Sequence, residues 1–168
     1  MDVSTIHPPT VYAGGAVIRN NAIPGLDSVK ALSVCQPYAS LLVAGLKTIE
    51  TRTWSTQYRG KLLICASKKE LGTIHDLRID HRYRLAQDLW GRPCRTGDQL
   101  PVGVAVGVVE VVDCRRMTGD DWDAACCDPY PGAYGFVCEN AYAIKPFAVR
   151  GKLMMWDQPI LHRQLDRK

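Results

Sequence analysis

Lys47, Glu50 and Arg52 stand close together in the stretch GLKTIETRTW, which runs from Gly45 to Trp54. An ammonium, a carboxylate and a guanidinium at this spacing suit three roles. They can form an exposed ion-pair cluster on a strand edge, which contributes little energy. They can grip an anionic, ring-bearing ligand, because Trp54, Tyr58 and Arg59 follow at once with aromatic faces and a further cation. They can also run a hydrolysis, with Lys47 as a desolvated general base and Glu50 activating water. In the binding case Lys47 and Arg59 contact phosphate. Glu50 and Arg52 orient polar base edges, and Trp54 or Tyr38 stacks. Ser67 and Lys68, with Lys69 beside them, end the next apolar run and are expected at the same mouth.

The flanking elements must hold this group in place. Ala31 to Cys35 reads as a short strand. Pro37 fits the first turn of a helix, where its missing N–H costs nothing. Tyr38, Leu41, Leu42 and Val43 make one apolar helical face, and Gly45 is a natural residue just past the helix end. Lys47 to Trp54 then alternates as a strand, with Thr48, Glu50 and Arg52 on one side. Tyr58-Arg59-Gly60 is a turn. Lys61 to Ser67 is a continuous apolar strand expected to be buried on both faces.

Farther along, residues 74–89 carry the spacing of a surface helix ended by Gly91. Its arginines (Arg78, Arg82, Arg84) read as a solvated face that can touch phosphate. Val102 to Cys114 is the longest strand signal, and Gly103 and Gly107 permit a bulge. TGDDWDAAC reads as a short capped helix. Tyr134 to Ala143 and Phe147 to Trp156 read as two closing strands joined at Pro146. The order predicts an α+β fold, a small, mostly antiparallel curled sheet or barrel with flanking helices.

Composition sets the bounds. The chain has 168 residues, 46% hydrophobic and 23% charged, enough for one domain with a real core. Residues 1–30 are rich in Pro, Gly and Asn and read as an extended arm, with a short strand around 11–17; residues 31–168 form the domain. The net charge of +4 suits a local phosphate contact better than a long electrostatic groove. No apolar run is long enough to span a bilayer, and the N-terminus lacks the pattern of a signal peptide, so a cytoplasmic protein without membrane contact is expected.

The seven cysteines are odd in number and show no C-x-x-C, so most read as buried reduced thiols. Cys126-Cys127 lies near Asp120, Asp121 and Asp128 but has no second spaced pair, so no metal and no cofactor are expected. His75 and His81 are too far apart in helical register to act together. No G-x-x-x-x-G-K-[ST], G-x-S-x-G or H-E-x-x-H is present.

LSVCQPYASLLVAGLKTIETRTWSTQYRGKLLICASKK, Leu32 to Lys69, resembles the signature of the ASCH domain family (activating signal cointegrator homology). The matching features are Gln36-Pro37, Gly45 with Lys47, Glu50 with Arg52, Tyr58-Arg59-Gly60 and Ala66-Ser67-Lys68. GAYGFVCENAYAIKPFAVRGKLMMW, Gly132 to Trp156, resembles the family's closing strands through Pro146-Phe147 and Gly151-Lys152. The resemblance covers residues 31–157. It implies a PUA-like β-barrel with a cleft between barrel and helix, floored by the G-x-K-x-x-E-x-R segment. It also implies RNA or a nucleotide or nucleoside as partner. The expected binding set is then Tyr38, Lys47, Glu50, Arg52, Trp54, Arg59, Ser67 and Lys68.

Some ASCH-like bacterial proteins deacetylate N4-acetylcytidine, using a lysine to activate a threonine three residues on. Here that position is Glu50, and Thr48 and Thr51 lie beside it without the matching spacing. The resemblance leaves a modified-nucleoside hydrolase or a ribonuclease as the alternative function, with Lys47 and Glu50 catalytic. In the ribonuclease, Lys47, Arg52 and Tyr38 would stabilise a pentavalent phosphate. A third role, an adaptor that binds protein through the arm, rests on the arm's composition alone.

Overall fold

The computed structural model describes residues 26–69 and 100–168. The expected arm strand at 11–17 and the helix at 74–89 with its arginines lie outside the described residues. In chain order the elements are β1 (Leu26–Val34), α1 (Tyr38–Val43), β2 (Ile49–Arg52), β3 (Gly60–Ala66) and β4 (Val104–Arg116). A 3-10 turn (Gly119–Asp121) runs into α2 (Trp122–Ala125), followed by β5 (Tyr134–Ala148), β6 (Met155–Leu161) and a last 3-10 turn (His162–Leu165). Among the described residues no helix is long and apolar enough to cross a membrane.

The strands form one six-stranded sheet in the order β2-β5-β4-β3-β1-β6. Only β1 and β3 run parallel; the other pairs are antiparallel. Among the described residues the sheet is not closed into the expected barrel, since β2 and β6 stand at its two edges. It is nevertheless strongly curled. β2 and β1 are four strand steps apart, about 19 Å in a flat sheet at ~4.8 Å per step, farther than an arginine side chain reaches. Yet Arg52 Nη2 on β2 donates to Ser33 O on β1 at 2.7 Å. A side chain therefore bridges the seam that a closed barrel would fill with a ladder.

Alternation along the strands splits the core into two faces. Leu32 and Val34 of β1 and Leu62, Ile64 and Ala66 of β3 join Leu42 and Val43 of α1 and Phe136 of β5 on one face. Ala31, Leu63 and Cys65 join Ile144, Trp156 and Ile160 on the other. The β3 run is buried on both faces, as its unbroken apolar sequence predicts. α1 lies close on the sheet because Gly107 has no side chain. A Cβ there would sit 2.5 Å from Val43 Cγ1 and 2.4 Å from Tyr142 O.

Three elements differ from the sequence expectation. β1 begins at Leu26 rather than Ala31, because β6 pairs with it from Leu26↔Leu161 onward. β5 runs straight through Pro146, which was expected to join two strands. The β4–β5 register jumps from Ala105↔Phe147 to Gly107↔Ala143, so Pro146 sits in the bulged-out segment, where no ladder bond is asked of it. The true reversal comes at residues 149–154, ahead of β6.

Candidate functional site

The group at Lys47 is built by the end of α1. Leu46 N–H donates to Leu41 O at 2.9 Å and Gly45 N–H to Leu42 O at 3.0 Å, the paired bonds of a Schellman motif. Gly45 takes the left-handed φ of 70° that this motif requires. At the other end of α1, Ser40 N–H donates to Gln36 Oε1 at 3.1 Å, while Gln36 Nε2 donates to Pro101 O at 2.8 Å. Gln36 thus satisfies the start of the helix and ties it to the segment before β4.

The reversal after Gly45 turns Lys47 inward, and only 2% of the residue is exposed. Its ammonium donates to Ala125 O at the end of α2, and Thr48 N–H takes the neighbouring Ala124 O at 2.9 Å. Carbonyls that a helix end would leave unmet are thereby satisfied. Lys47 Nζ also lies 3.5 Å from Glu50 Oε2 and 5.2 Å from the centre of the Tyr38 ring. Glu50, itself buried, holds Arg52 Nη2 through its other oxygen at 2.8 Å. Arg52 Nη2 passes the chain of contacts on to Ser33 O. Arg52 Nε is buried with no acceptor among the described residues. Tyr38, Lys47, Glu50 and Arg52 are therefore one connected group, with Lys47 and Glu50 buried, Tyr38 and Arg52 half-buried, and the buried charges paired as charged groups away from water must be.

Beyond Ser33 lies a cleft of about 840 Å³. Its walls are the ends of four strands, knitted by backbone bonds. Ser67 N–H donates to Val34 O at 2.9 Å, Gly103 N–H to Ala66 O at 2.7 Å, and Val149 N–H to Gly103 O at 3.3 Å. Lys68, Lys69, Arg150 and Lys152 line it with Ser33 and Ser67, and no carboxylate is among the lining residues. Among the described residues no ion pair involves any of these four cations. Ser33 belongs to both places, accepting from Arg52 with its backbone and lining the cleft.

The structure thus sorts the expected set. Ser67 and Lys68 are in the cleft; Tyr38, Lys47, Glu50 and Arg52 are in the buried group behind it. Trp54 packs edge-on against Phe136, with ring centres 5.0 Å apart, and belongs to the core margin. Arg59 donates to Thr56 O, Tyr58 O and Asp113 Oδ1, and the Tyr58 hydroxyl donates to Lys61 O, so these two are engaged along the turn into β3. Arg150 and Lys152 join the cleft although sequence reading placed them inside a strand. The signal that marks them is the V-R-G-K run between apolar segments, a basic turn. Among the described residues no His, Cys, Asp or Glu cluster is gathered for a metal. Cys127 Sγ lies 3.4 Å from Thr51 Oγ1, and Cys126 is buried behind Leu46 O.

A family model described as the ASCH domain matches residues 32–147. The chain is 32% identical over 136 residues to human activating signal cointegrator 1, and 30% identical over 134 residues to the protein of that name from Mus musculus. Each alignment covers 79% of this chain but 22% of the relative, so the chain spans about a fifth of the length of these curated relatives. Crystal structures of two mutant proteins of ZmASCH from Zymomonas mobilis align at 14% identity with TM-scores of 0.44 and 0.43. They cover 71% of this chain and 75% and 72% of those chains.

Proposed function

The chain belongs to the ASCH domain family, and on that premise we propose that it is a module binding single-stranded RNA or a nucleotide through its cation-lined cleft. One observation carries this reading: Lys68, Lys69, Arg150 and Lys152 converge on one hollow that has no carboxylate in its wall among the described residues. Four cations with no ion pair among the described residues, at four converging strand ends, suit a phosphate-bearing ligand. Lys47, Glu50 and Arg52 act as the support. They fix β2 against β1 at Ser33, which itself lines the cleft. The same reading takes the curled sheet as a PUA-like barrel whose seam is closed by side chains.

Binding is favoured over hydrolysis by the commitments of Lys47. Its ammonium already meets Ala125 O, Glu50 and the Tyr38 face, and it is not a lining residue of the cleft. A general base must reach the proton it removes.

Filter binding of a short single-stranded RNA across a salt series tests the proposal. Log affinity is expected to fall linearly with log salt, with a slope reduced by about 0.7 for each cation removed by Lys68→Ala or Lys152→Ala. Binding that ignores both salt and these substitutions overturns the reading. Chromatography of the same RNA and of N4-acetylcytidine after incubation is expected to show no product.

A further inference from the structure

The turn between β5 and β6 carries a feature that a phosphate cleft alone does not need. Leu153 is 93% exposed and Met154 56% exposed. They follow Lys152 directly, and Leu153 itself lines the cleft. Water-facing leucine and methionine side by side cost solubility and add nothing to the core, so they point to a contact made outside the chain.

Two details show that the turn holds them deliberately. Met154 has a φ of 56°, the left-handed region that suits glycine or asparagine and strains a methionine. Gly151 presses the turn onto β1, since a Cβ there would lie 2.8 Å from Ser33 Oγ. The apolar pair is thus fixed at the lip of the hollow that Arg150 and Lys152 charge. Positive charge set beside apolar surface matches a nucleotide, whose phosphate and base differ in the same way. Minor-groove binding proteins insert leucine and methionine between the base steps of duplex DNA, which shows that these side chains pack well against a base face.

We propose that Leu153 and Met154 form a base-packing wedge that bears on the base of the nucleotide whose phosphate lies among Lys68, Arg150 and Lys152. The proposal rests on the binding function above and adds how the site senses bases. A bare sugar-phosphate strand satisfies the cations but leaves the wedge in water.

The test compares a six-nucleotide uridine RNA with an abasic oligonucleotide of the same length, on the full chain. Leu153→Ser combined with Met154→Gly is expected to weaken RNA binding about tenfold and to leave abasic binding unchanged. Lys152→Ala is expected to weaken both. Met154→Gly alone is expected to keep or raise the melting temperature while weakening RNA binding, which a merely structural methionine would not do. Equal loss on both probes, or unchanged RNA binding in the double variant, overturns the wedge and leaves the cleft standing. Failure of the unmodified chain to bind either probe overturns the cleft and the wedge together. Loss confined to phosphatidylserine vesicles, with RNA binding intact, overturns the wedge in favour of a membrane contact.

Discussion

Arg52 on the edge strand β2 reaches across the curled sheet to the carbonyl of Ser33 on β1, while the same nitrogen holds Glu50. One guanidinium thus fastens the seam beside Ser33, a residue of the cleft wall. Arg52→Lys keeps the charge but replaces the rigid planar guanidinium with a shorter, flexible stem whose ammonium falls short of the Nη2 position that meets Glu50 and Ser33. A loss of about 1–3 kcal/mol is expected, read by urea unfolding. An equal stability for the lysine variant would show that the strap to Ser33 contributes nothing.

Lys47 tests whether the buried charges act as a unit. Lys47→Met strips Glu50 of one partner and leaves Ala125 O without its donor. Breaking a buried pair in this way is expected to cost about 3–5 kcal/mol. Adding Glu50→Gln should recover part of that loss, giving a coupling above ~1 kcal/mol in a double-mutant cycle. Strict additivity would mean that the two side chains are energetically independent.

Gly107 tests the seating of α1. Gly107→Ala must displace Val43 or the Tyr142 carbonyl, and one of these is backbone. The expected loss is about 1–3 kcal/mol, visible as a lower melting temperature. An unchanged melting temperature would show that α1 is free to lift from β4.

Asp121 sets a pH window. The Arg115 side chain, bonded to it at 2.6 and 2.8 Å, holds its carboxyl down at about 2, with the Thr118 N–H helping against the cost of burial. A depressed carboxyl stabilises the fold fully above its unfolded value, 3.8. That contribution fades as pH falls from there through about 2. The stability gap between the native chain and Asp121→Asn should therefore be flat near neutrality and close across this acid range. A gap that stays constant down to the acid limit would separate Asp121 from the effect.

Thiol chemistry should follow burial. Burial pushes Cys65 and Cys138 up to about 12, and nearby Glu50 raises Cys138 further. Reaction requires thiolate and access. Iodoacetamide at neutral pH is expected to label Cys35, Cys114 and Cys127, which are only half-buried, well before these two, as read by peptide mass spectrometry. Fast labelling of Cys65 in the folded chain would show that this part of the sheet opens readily.

The sequence revealed what depends on neighbours in the chain. Gly45 marks the end of α1, and the residues after it are turned inward by a motif confined to residues 41–46. The apolar run of β3 announces its own burial. What depends on distant partners was not legible. Pro146 looks like a break until the β4 register shows the bulge that accepts it. Arg150 and Lys152 look like strand residues until the chain is seen to reverse there. Arg59 resembles a phosphate ligand, yet Asp113 on β4 answers it from far along the sequence. The two halves of the site meet only because Arg52 finds Ser33, a contact that depends on the curl of the whole sheet.

The position of β2 also governs when the Lys47 group can assemble. Among the described residues its one strand neighbour is β5, so Ile49–Arg52 pairs with Tyr134–Val137 across a long stretch of intervening chain. During synthesis β1, β3 and β4 emerge and can zip while β2 waits for a partner not yet made. A nascent chain stalled before residue 134 carries Lys47, Glu50 and Arg52 without the strand that aligns them. The Lys47–Glu50–Arg52 group therefore reaches its final arrangement late, only after β5 has left the ribosome.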